Sequence, residues 1–427
     1  MSNEELQPLQ GMADIGPPEI SRWQELEAEA RRVLALYGFE EIRTPILERL
    51  DLFVRSLGDS TDVVQKEMYS FTDRGGRRLA LRPEGTAGAI RYLASKGQDA
   101  ADARIYYMGP MFRAERPQAG RRRQFHQLGV EALGPPSPEF DAEIIALHTD
   151  LLRSWGISRF TVHVNTRGAP GEQATAGRLF REHLLPRQQE LCDDCRRRFD
   201  VNVLRILDCK NPLCRAIVEA VPPPTDFLSP ESKEYLKRVL QVLEAFSIPV
   251  THNARLVRGL DYYVHTIWEI THPALGAQDA IAGGGRYTLE VAGRSLEGVG
   301  FAIGMERALM ALDAEKPAVE SGRAPLVWLV SLGEAARLEN LRLLQTLRRH
   351  HVASRMCLDA RSVKAQFRAA DRAGASLVVI RGDAELAKGV FALKNLSTGE
   401  QTEVDLSELM RQLMQLRSSA PKPEAVP

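Results

Sequence analysis

The sequence has no apolar run long enough to cross a bilayer, and its polar, acidic N-terminus, MSNEELQPLQ, lacks the features of a signal or transit peptide. It also has no excess of either charge, because 56 basic residues balance 56 acidic ones. A nucleic-acid partner would therefore need a local basic surface rather than bulk positive charge. We expect a cytoplasmic protein with no membrane partner.

Cysteine is scarce as well, with five residues in 427. An odd number of cysteines in a large chain without secretory features argues against disulfides. Four of the five form two close pairs, Cys192-x2-Cys195 and Cys209-x4-Cys214, and four thiolates are able to bind zinc tetrahedrally. The x4 spacing is loose for such a site, so the sequence favours four metal-free thiols, with a structural zinc as the alternative.

The residues that are present suit a multidomain globular chain, with 44% apolar and 26% charged residues. Helical periodicity with few strand signals predicts a helical insertion over residues 168–250, which divides one domain into parts 1–167 and 251–322. The stretch 313–325 is a linker by composition. Alternating strand and helix patterns beyond it predict a separate α/β domain over residues 323–427.

The most informative stretch is a predicted hairpin, Ile105–Phe112 and Gln124–Leu133, around a loop rich in proline, glycine and arginine. Alternation along the second strand places three apolar residues on one face, Leu128, Val130 and Ala132. The opposite face carries Phe125, Gln127, Gly129 and Glu131. An aromatic ring, an amide and a carboxylate together suit a pocket for a planar, polar ligand. Arg113 begins the loop, where its guanidinium suits a phosphate. The alternative is a surface hairpin with a solvated polar face.

Two further motifs combine polar groups with turns. RPEGT, residues 82–86, ends a strand and presents Glu84 and Thr86 to an ammonium group, although Thr86 is equally suited to be the N-cap of the following helix. RLVRGLDYY, residues 255–263, offers Arg258, Tyr262 and Tyr263. The alternatives are a surface salt bridge for the arginine and ordinary packing for the tyrosines.

Two glycine-containing motifs follow. IAGGGRY, residues 281–287, lacks side chains at three successive positions, which predicts close approach of the backbone to a ligand. VGFAIGMER, residues 299–307, predicts a strand that passes through Gly304 into a helix with Arg307 in its first turn. A cation beside a helix N-terminus suits an anion such as a phosphate. The alternative is an arginine on the helix surface.

In this order, the motifs resemble those of the histidyl-tRNA synthetases, a family of class II aminoacyl-tRNA synthetases. FRAERP followed by RRRQFHQLGVE resembles motif 2, and GFAIGMER resembles motif 3. The helix predicted over Pro17–Tyr37, with FEEIRTP after it, resembles motif 1, the dimer-forming element. RPEGT and RGLDYY resemble signatures of the histidyl enzymes. One departure is Thr288-Leu289-Glu290, where the family usually has Asp-Gly-Leu.

The resemblance implies an α+β fold: the class II antiparallel sheet with flanking helices, a mainly helical insertion near the tRNA acceptor arm, and a C-terminal α/β anticodon-binding domain. The implied activity is that of a histidine–tRNA ligase. Such an enzyme activates histidine with ATP to histidyl-adenylate and pyrophosphate, then esterifies the 3′ end of tRNA(His). ATP with Mg²⁺, histidine and tRNA(His) are the implied ligands, and a homodimer is the implied assembly.

The resemblance also implies roles for individual residues. Phe125 would stack on the adenine ring, and Glu115 would bind its exocyclic amine. Arg113 would bind the α-phosphate and Arg307 the γ-phosphate. The histidine ammonium would be bound by Glu84, Thr86 and Gln127. The rest of the histidine site would comprise Glu131 and Tyr263 at the imidazole, with Tyr262, Arg113 and Arg258. Arg113 and Arg258 would be the catalytic cations, and no protein side chain is needed as a nucleophile or metal ligand.

Two other functions stay open from the sequence. One is a non-catalytic paralogue that keeps the synthetase core to sense histidine as a regulatory subunit of histidine biosynthesis. Such proteins tend to lose the phosphate-contacting arginines and the C-terminal domain, both of which this chain has. The other is an RNA-binding module with vestigial catalysis. Histidine-dependent pyrophosphate exchange separates both from an active ligase.

Overall fold

The computed structural model describes residues 6–58, 61–97, 102–118, 120–260, 262–291, 293–316 and 325–418. It divides the chain into two compact units, residues 1–319 and 320–427. Most of the predicted linker, the predicted domain boundary at 322/323 and Asp261 of the RGLDYY motif lie outside the described residues. Within the described segments, no helix is both long enough and apolar enough to span a membrane.

The described residues of the first unit form eleven strands, with helices on both sides of the large sheet. The strands are β1 Glu40–Glu41, β2 Leu47–Arg49, β3 Ser70–Thr72, β4 Arg78–Leu81, β5 Arg104–Phe112, β6 Gln124–Leu133, β7 Thr161–Thr166, β8 Val250–His252, β9 Tyr263–Thr271, β10 Ala280–Val291 and β11 Arg294–Gly304. The helices are α1 Glu19–Leu36, α2 Leu50–Leu57, α3 Thr86–Lys96, α4 Pro138–Ser154, α5 Glu172–Leu184, α6 Asp193–Val201, α7 Pro212–Glu219, α8 Pro230–Ala245 and α9 Met305–Glu315.

Eight of these strands form one sheet in the order β1-β5-β6-β11-β10-β9-β7-β8. The six central strands are antiparallel to their neighbours, and only the outermost pairs, β1 with β5 and β7 with β8, are parallel. A separate small sheet has the order β2-β4-β3. This arrangement confirms the predicted α+β class with a large antiparallel sheet.

The central hairpin forms as its alternation predicts. Strand β6 begins and ends at the predicted residues, and its apolar face, Leu128, Val130 and Ala132, is fully buried in the main core. Helix α1 packs against the same core through a stripe at helical spacing, which comprises Trp23, Leu26, Ala30, Val33 and Leu34. The glycine at position 38 follows this helix with a φ of 76°, which is why the chain turns there.

The predicted insertion lies between β7 and β8 and is helical. It contains α5 to α8, as the helical periodicity of residues 168–250 predicts. Short 3₁₀ segments join these helices, including Val203–Asp208 between α6 and α7. Part of the insertion has its own apolar core, in which Phe180, Phe199 and Ile217 are buried.

The second unit is an α/β domain. Its strands are β12 Leu326–Ser331, β13 Ser354–Met356, β14 Ala375–Arg381, β15 Phe391–Asn395 and β16 Gln401–Val404, and its helices are α10 Glu334–Arg349, α11 Val363–Arg372, α12 Asp383–Lys388 and α13 Leu406–Ser418. The sheet order is β13-β12-β14-β15-β16, parallel in the first three strands and antiparallel in the last three. The short helix α12 has only six residues, too few for a periodic pattern to predict it from the sequence.

A fully buried ion pair connects four elements of the first unit. Nε of Arg286 on β10 donates to Asp141 on α4 at 2.7 Å, and neither side chain is exposed. The same carboxylate accepts from the hydroxyls of Thr266 on β9 (2.6 Å) and Tyr235 on α8 (2.9 Å). Arg286 also donates to the carbonyl of Gly134 at 2.9 Å. The arginine of the IAGGGRY motif is thus a structural residue beneath the sheet.

We expect Asp141→Asn to lower the free energy of unfolding by about 3–5 kcal/mol, because the amide leaves the Arg286 charge buried without a counter-ion. Guanidinium denaturation of the full chain measures the loss. The matched control is Glu139→Gln on the same helix, whose 2.8 Å pair with Arg238 has both side chains more than half exposed. That change should cost less than about 1 kcal/mol. Equal losses in the two variants would contradict this account.

Candidate active site

A cavity of about 300 Å³ opens on one face of the large sheet and brings together residues from five separate stretches of sequence. It is lined by all of the predicted ATP and histidine residues: Glu84, Thr86, Arg113, Glu115, Phe125, Gln127, Glu131, Arg258, Tyr262, Tyr263 and Arg307. The four cysteines do not line it. They meet elsewhere, in the helical insertion.

Two glycines of β10 provide the space in which site side chains lie. A Cβ on Gly283 would be 2.5 Å from Cζ of Arg258, and a Cβ on Gly285 would be 2.7 Å from the ring of Tyr263. Nη1 of Arg258 donates to Glu269 of β9 at 2.6 Å, so its guanidinium is fixed across the bare strand. The sequence predicts that this glycine run admits a ligand. In the structure Gly283 lines the cavity, but the run also makes room for two of the protein's own side chains.

Glu131 is the most deeply buried carboxylate of the cavity, with 1% of the residue exposed. It pairs across the sheet with Gly300, where a Cβ would be 2.4 Å from its Oε2 atom. The hydroxyl of Tyr107 donates to Oε1 at a long 3.5 Å, while Oε2 has no hydrogen-bond partner among the described residues. Burial raises the pKa of Glu131 to about 8.

Glu84 is also buried, but its oxygens are used locally. They accept the backbone N–H groups of Thr86 (2.7 Å) and Ala87 (2.9 Å), the first residues of α3. The carboxylate of Glu84 therefore satisfies the helix N-terminus, and Thr86 is a helical residue rather than the N-cap. Burial raises the pKa of Glu84, against the opposing effect of these two hydrogen bonds.

Arg113 and Arg307 are both bound to backbone carbonyls. Nε of Arg113 donates to Pro83 at 2.9 Å, and Nε of Arg307 donates to Gly120 at 2.9 Å and its Nη1 to Ala280. A carbonyl is a neutral acceptor, whereas a phosphate oxygen is charged and forms a stronger hydrogen bond with guanidinium. Both side chains are therefore oriented by groups that an anion is able to replace.

The remaining predicted residues surround the outer part of the cavity. The guanidinium carbon of Arg113 lies 5.3 Å from the centre of the Phe125 ring, a cation–π contact. Glu115 forms a 2.8 Å ion pair with Arg121 from the hairpin loop. The Oε1 atom of Gln127 is buried and has no hydrogen-bond partner among the residues described. Such an unsatisfied acceptor suits a ligand group that donates a hydrogen bond.

Several residues of the site are missing from the sequence-based prediction. Tyr107 contacts Glu131, Glu269 fixes Arg258, and Glu306 lines the cavity and accepts the backbone N–H of His126 at 3.0 Å. A carboxylate inside the apolar strand TIWEIT is a signal that would have identified Glu269. The departure at Thr288 leaves the strand intact, because β10 continues through it to Val291.

Comparisons with known proteins agree with this arrangement. A family model described as histidyl-tRNA synthetase matches residues 11–169 and 224–308, and one described as an anticodon binding domain matches residues 327–416. The histidine–tRNA ligase of Halothermothrix orenii is 43% identical over 412 residues, which cover 95% of this chain and 98% of the relative. That of Geobacillus kaustophilus is 45% identical over 409 residues, covering 93% and 96%.

Among solved structures, the apo histidyl-tRNA synthetase of S. aureus matches with a TM-score of 0.79 at 33% identity, covering 96% of this chain and 100% of that one. The matches extend over the sheet, the motifs that line the cavity and the C-terminal unit. The chain therefore belongs to the histidyl-tRNA synthetase family, whose curated members are ATP-dependent histidine–tRNA ligases.

Proposed function

We propose that this chain activates histidine with ATP to histidyl-adenylate and pyrophosphate and then esterifies the 3′ end of tRNA(His). The observation that carries this proposal is the convergence of three arginines, remote in sequence, on one cavity that also contains the buried carboxylate of Glu131. Cations suit a triphosphate, and a buried polar pair suits an imidazole. The C-terminal unit, matched by the anticodon-binding family, supports tRNA as the second substrate.

In the first step, a carboxylate oxygen of histidine attacks the α-phosphorus of ATP, and the bond to the bridging oxygen breaks to release pyrophosphate. Negative charge builds on the α-phosphoryl oxygens during this attack. Arg113 and Arg258 are the cations assigned to stabilise it. Because Glu269 and the bare backbone at Gly283 fix Arg258, its charge needs little reorganisation during the reaction.

The other ATP contacts follow from the residues around the cavity. Phe125 stacks on adenine, Glu115 accepts from the exocyclic amine, and Arg307 exchanges its carbonyl acceptors for the γ-phosphate. A magnesium ion bound together with ATP would supply charge neutralisation at the phosphates. Arg113, Arg258 and Arg307 would bind the phosphates directly, and no side chain of the protein is assigned as a ligand of the ion.

In the second step, a hydroxyl of the 3′-terminal ribose of tRNA attacks the histidyl carbonyl carbon and AMP leaves. No side chain forms a covalent intermediate in either step. Catalysis then consists of positioning the two substrates and stabilising charge.

Histidine selection rests on the inner end of the cavity. Glu84, Thr86 and Gln127 bind the ammonium group, with Tyr262 packed beside them, and Glu131 and Tyr263 bind the two imidazole nitrogens. Since burial raises the pKa of Glu131 to about 8, one proton is shared between this carboxyl and the imidazole near neutral pH. An apolar side chain would leave these buried groups unpaired, which disfavours its binding.

A non-catalytic regulatory paralogue is the main rival function. Such a protein needs to sense histidine but has no use for cations on a triphosphate. The presence of Arg113, Arg258 and Arg307 in one cavity, and of an anticodon-binding unit, favours the ligase. Histidine-dependent exchange of labelled pyrophosphate into ATP tests the proposal, and its absence from correctly folded protein would refute ligase activity.

We also propose that the chain acts in the cytoplasm as a homodimer. The resemblance of α1 and the strand after it to motif 1 supports the dimer. The three-stranded sheet β2-β4-β3 also leaves apolar surface uncovered, because Leu47 is 42% and Phe71 48% exposed.

Arg258→Ala should reduce histidine-dependent pyrophosphate exchange by about 100-fold or more, because it removes a charge donor of the transition state. Histidine affinity should stay within about tenfold, since other groups bind the ammonium and imidazole. The control is Arg255→Ala in the same segment, whose guanidinium donates to the carbonyls of Glu219 and Val221 outside the cavity. It should retain near-normal exchange. Near-wild-type exchange by Arg258→Ala would refute its assigned role.

Glu131→Gln should raise the KM for histidine and reduce discrimination against other amino acids, because the amide offers a different pattern of donors and acceptors. It should also change how stability depends on pH. The folded chain keeps the Glu131 proton up to about pH 8, whereas the usual pKa is 4.5. Stability from this group is therefore complete below about pH 4.5 and is lost as the pH rises through 8.

Denaturation of the two proteins between pH 5 and 9 measures this effect. The stability of the variant relative to wild type should increase with pH, by at most about 1.4 kcal/mol per pH unit, and level off above about pH 8. Glu25→Gln, at an exposed position of α1, should parallel wild type. An unchanged histidine KM together with parallel stability curves would contradict the assignment of Glu131.

Light scattering should give twice the mass of one chain, because the proposed dimer buries the small sheet. Replacing both Leu47 and Phe71 by Glu should halve that mass by placing charges in the apolar contact. A wild-type mass equal to one chain would refute the homodimer.

A further inference from the structure

The four cysteines of the insertion lie in or just before the first turns of two short helices. Cys192 precedes α6 and Cys195 is in its first turn. Cys209 follows the segment Val203–Asp208, and Cys214 is in the first turn of α7. Each of the two helix starts therefore contributes two sulfur atoms, and the four sulfur atoms lie close together.

The sulfur positions match one tetrahedral ion better than two disulfides. All four Sγ atoms lie within 4.8 Å of one another, and those of Cys192 and Cys209 are 3.9 Å apart. Zinc binds thiolate at about 2.3 Å, which places the sulfurs of a regular tetrahedron about 3.8 Å apart. A disulfide brings only two sulfurs together, at about 2.05 Å. All four residues are free cysteines here.

Backbone N–H groups point at these sulfurs. The N–H of Cys192 donates to Sγ of Cys214 at 3.2 Å, and the N–H of Asn211 donates to Sγ of Cys209 at 3.4 Å. A sulfur that accepts hydrogen bonds is better suited to be a thiolate than a thiol, and outer hydrogen bonds of this kind orient metal ligands. The first bond also links the two halves of the cluster.

The helices around the four cysteines are short, so helix formation by itself contributes little to the stability of this segment. Helix α6 has nine residues and α7 has eight, which is below the length at which isolated helices persist in water. Cys195 and Cys214 are fully buried at the centre of the insertion's own apolar core, beside Phe199 and Ile217. Small cores of this kind commonly need a metal or a covalent link.

We propose that Cys192, Cys195, Cys209 and Cys214 bind one zinc ion that ties the two halves of the insertion together. The segment with the cysteines lies outside the residues that the family model matches, 11–169 and 224–308. The site is also independent of the proposed ligase activity. Tetrathiolate ligation selects zinc over magnesium or calcium, which prefer oxygen.

The site would also stabilise a surface next to the cavity. Arg205, in the segment Val203–Asp208 that precedes Cys209, forms a 3.5 Å ion pair with Asp62. Its Nη1 atom lies only 3.2 Å from where a Cβ on Gly259 would be, beside Arg258. Loss of the ion should therefore loosen residues 185–221 first and then the loop that carries Arg258.

The first test is metal analysis of the full chain, purified without a histidine tag and under reducing conditions. We expect about one zinc per chain, and replacement by Co²⁺ should give the intense visible and near-ultraviolet bands of a tetrahedral thiolate complex. Less than about half an equivalent of zinc, with five thiols free to react, would overturn the proposal. So would iron at the site or two disulfides among the four residues.

Variants separate the cluster from cysteine content in general. Cys195→Ser and Cys214→Ser should each reduce bound zinc at least fivefold, whereas Cys357→Ser, at a buried cysteine of the second unit, should retain it. Should a cluster variant fail to fold, the wild-type chain provides the same test. A mercurial reagent should release one zinc and make residues 185–221 the first site of proteolysis, and thiol plus zinc should restore resistance. Zinc retained by both cluster variants, or unchanged proteolysis after release, would refute the site.

Discussion

The candidate site depends on a sheet surface without side chains. Where β6, β11 and β10 run side by side, glycines at 300, 283 and 285 leave space that a single Cβ would fill, since each would lie within 2.7 Å of a site side chain. Glu131, Arg258 and Tyr263 occupy that space. The cavity above them exists because the antiparallel pairing of β10 with β11 places Gly285 directly opposite Gly300, so the gaps on the two strands adjoin.

Burial on this surface changes the chemistry of the groups that it holds. Glu131 is surrounded by rings and backbone, so its carboxyl keeps a proton to about pH 8. Arg258 is only partly buried, with 22% of its side chain exposed, and it has Glu269 as a counter-ion. The same sheet covers a second buried charge, Arg286, which is paired with Asp141 and does not line the cavity. The two arginines therefore differ in their surroundings. Arg258 is paired with Glu269 and still faces the cavity, whereas Arg286 is enclosed with Asp141 and has no room for a substrate beside it.

The two units of the chain, and the insertion within the first, contribute different physical elements to the proposed function. The large sheet supplies a closely packed surface that resists movement of the charged side chains attached to it. The insertion contains short helices around four sulfur atoms that lie within 4.8 Å of one another, beside a separate apolar core. A rigid catalytic sheet and a separately stabilised accessory element are compatible with substrates as different in size as histidine and tRNA.

The sequence alone determined what depends on local order. The alternation of β6, the stripe of α1 and the helical character of 168–250 are fixed by side chains near one another in the chain, and the motifs gave every predicted residue of the cavity. Only the tertiary structure decided which arginine lies over the cavity and which lies beneath the sheet, since Arg258 and Arg286 differ in their distant partners, Glu269 and Asp141. It also decided that four cysteines with loose spacing meet at one point, because contacts between remote residues are set by packing and not by periodicity.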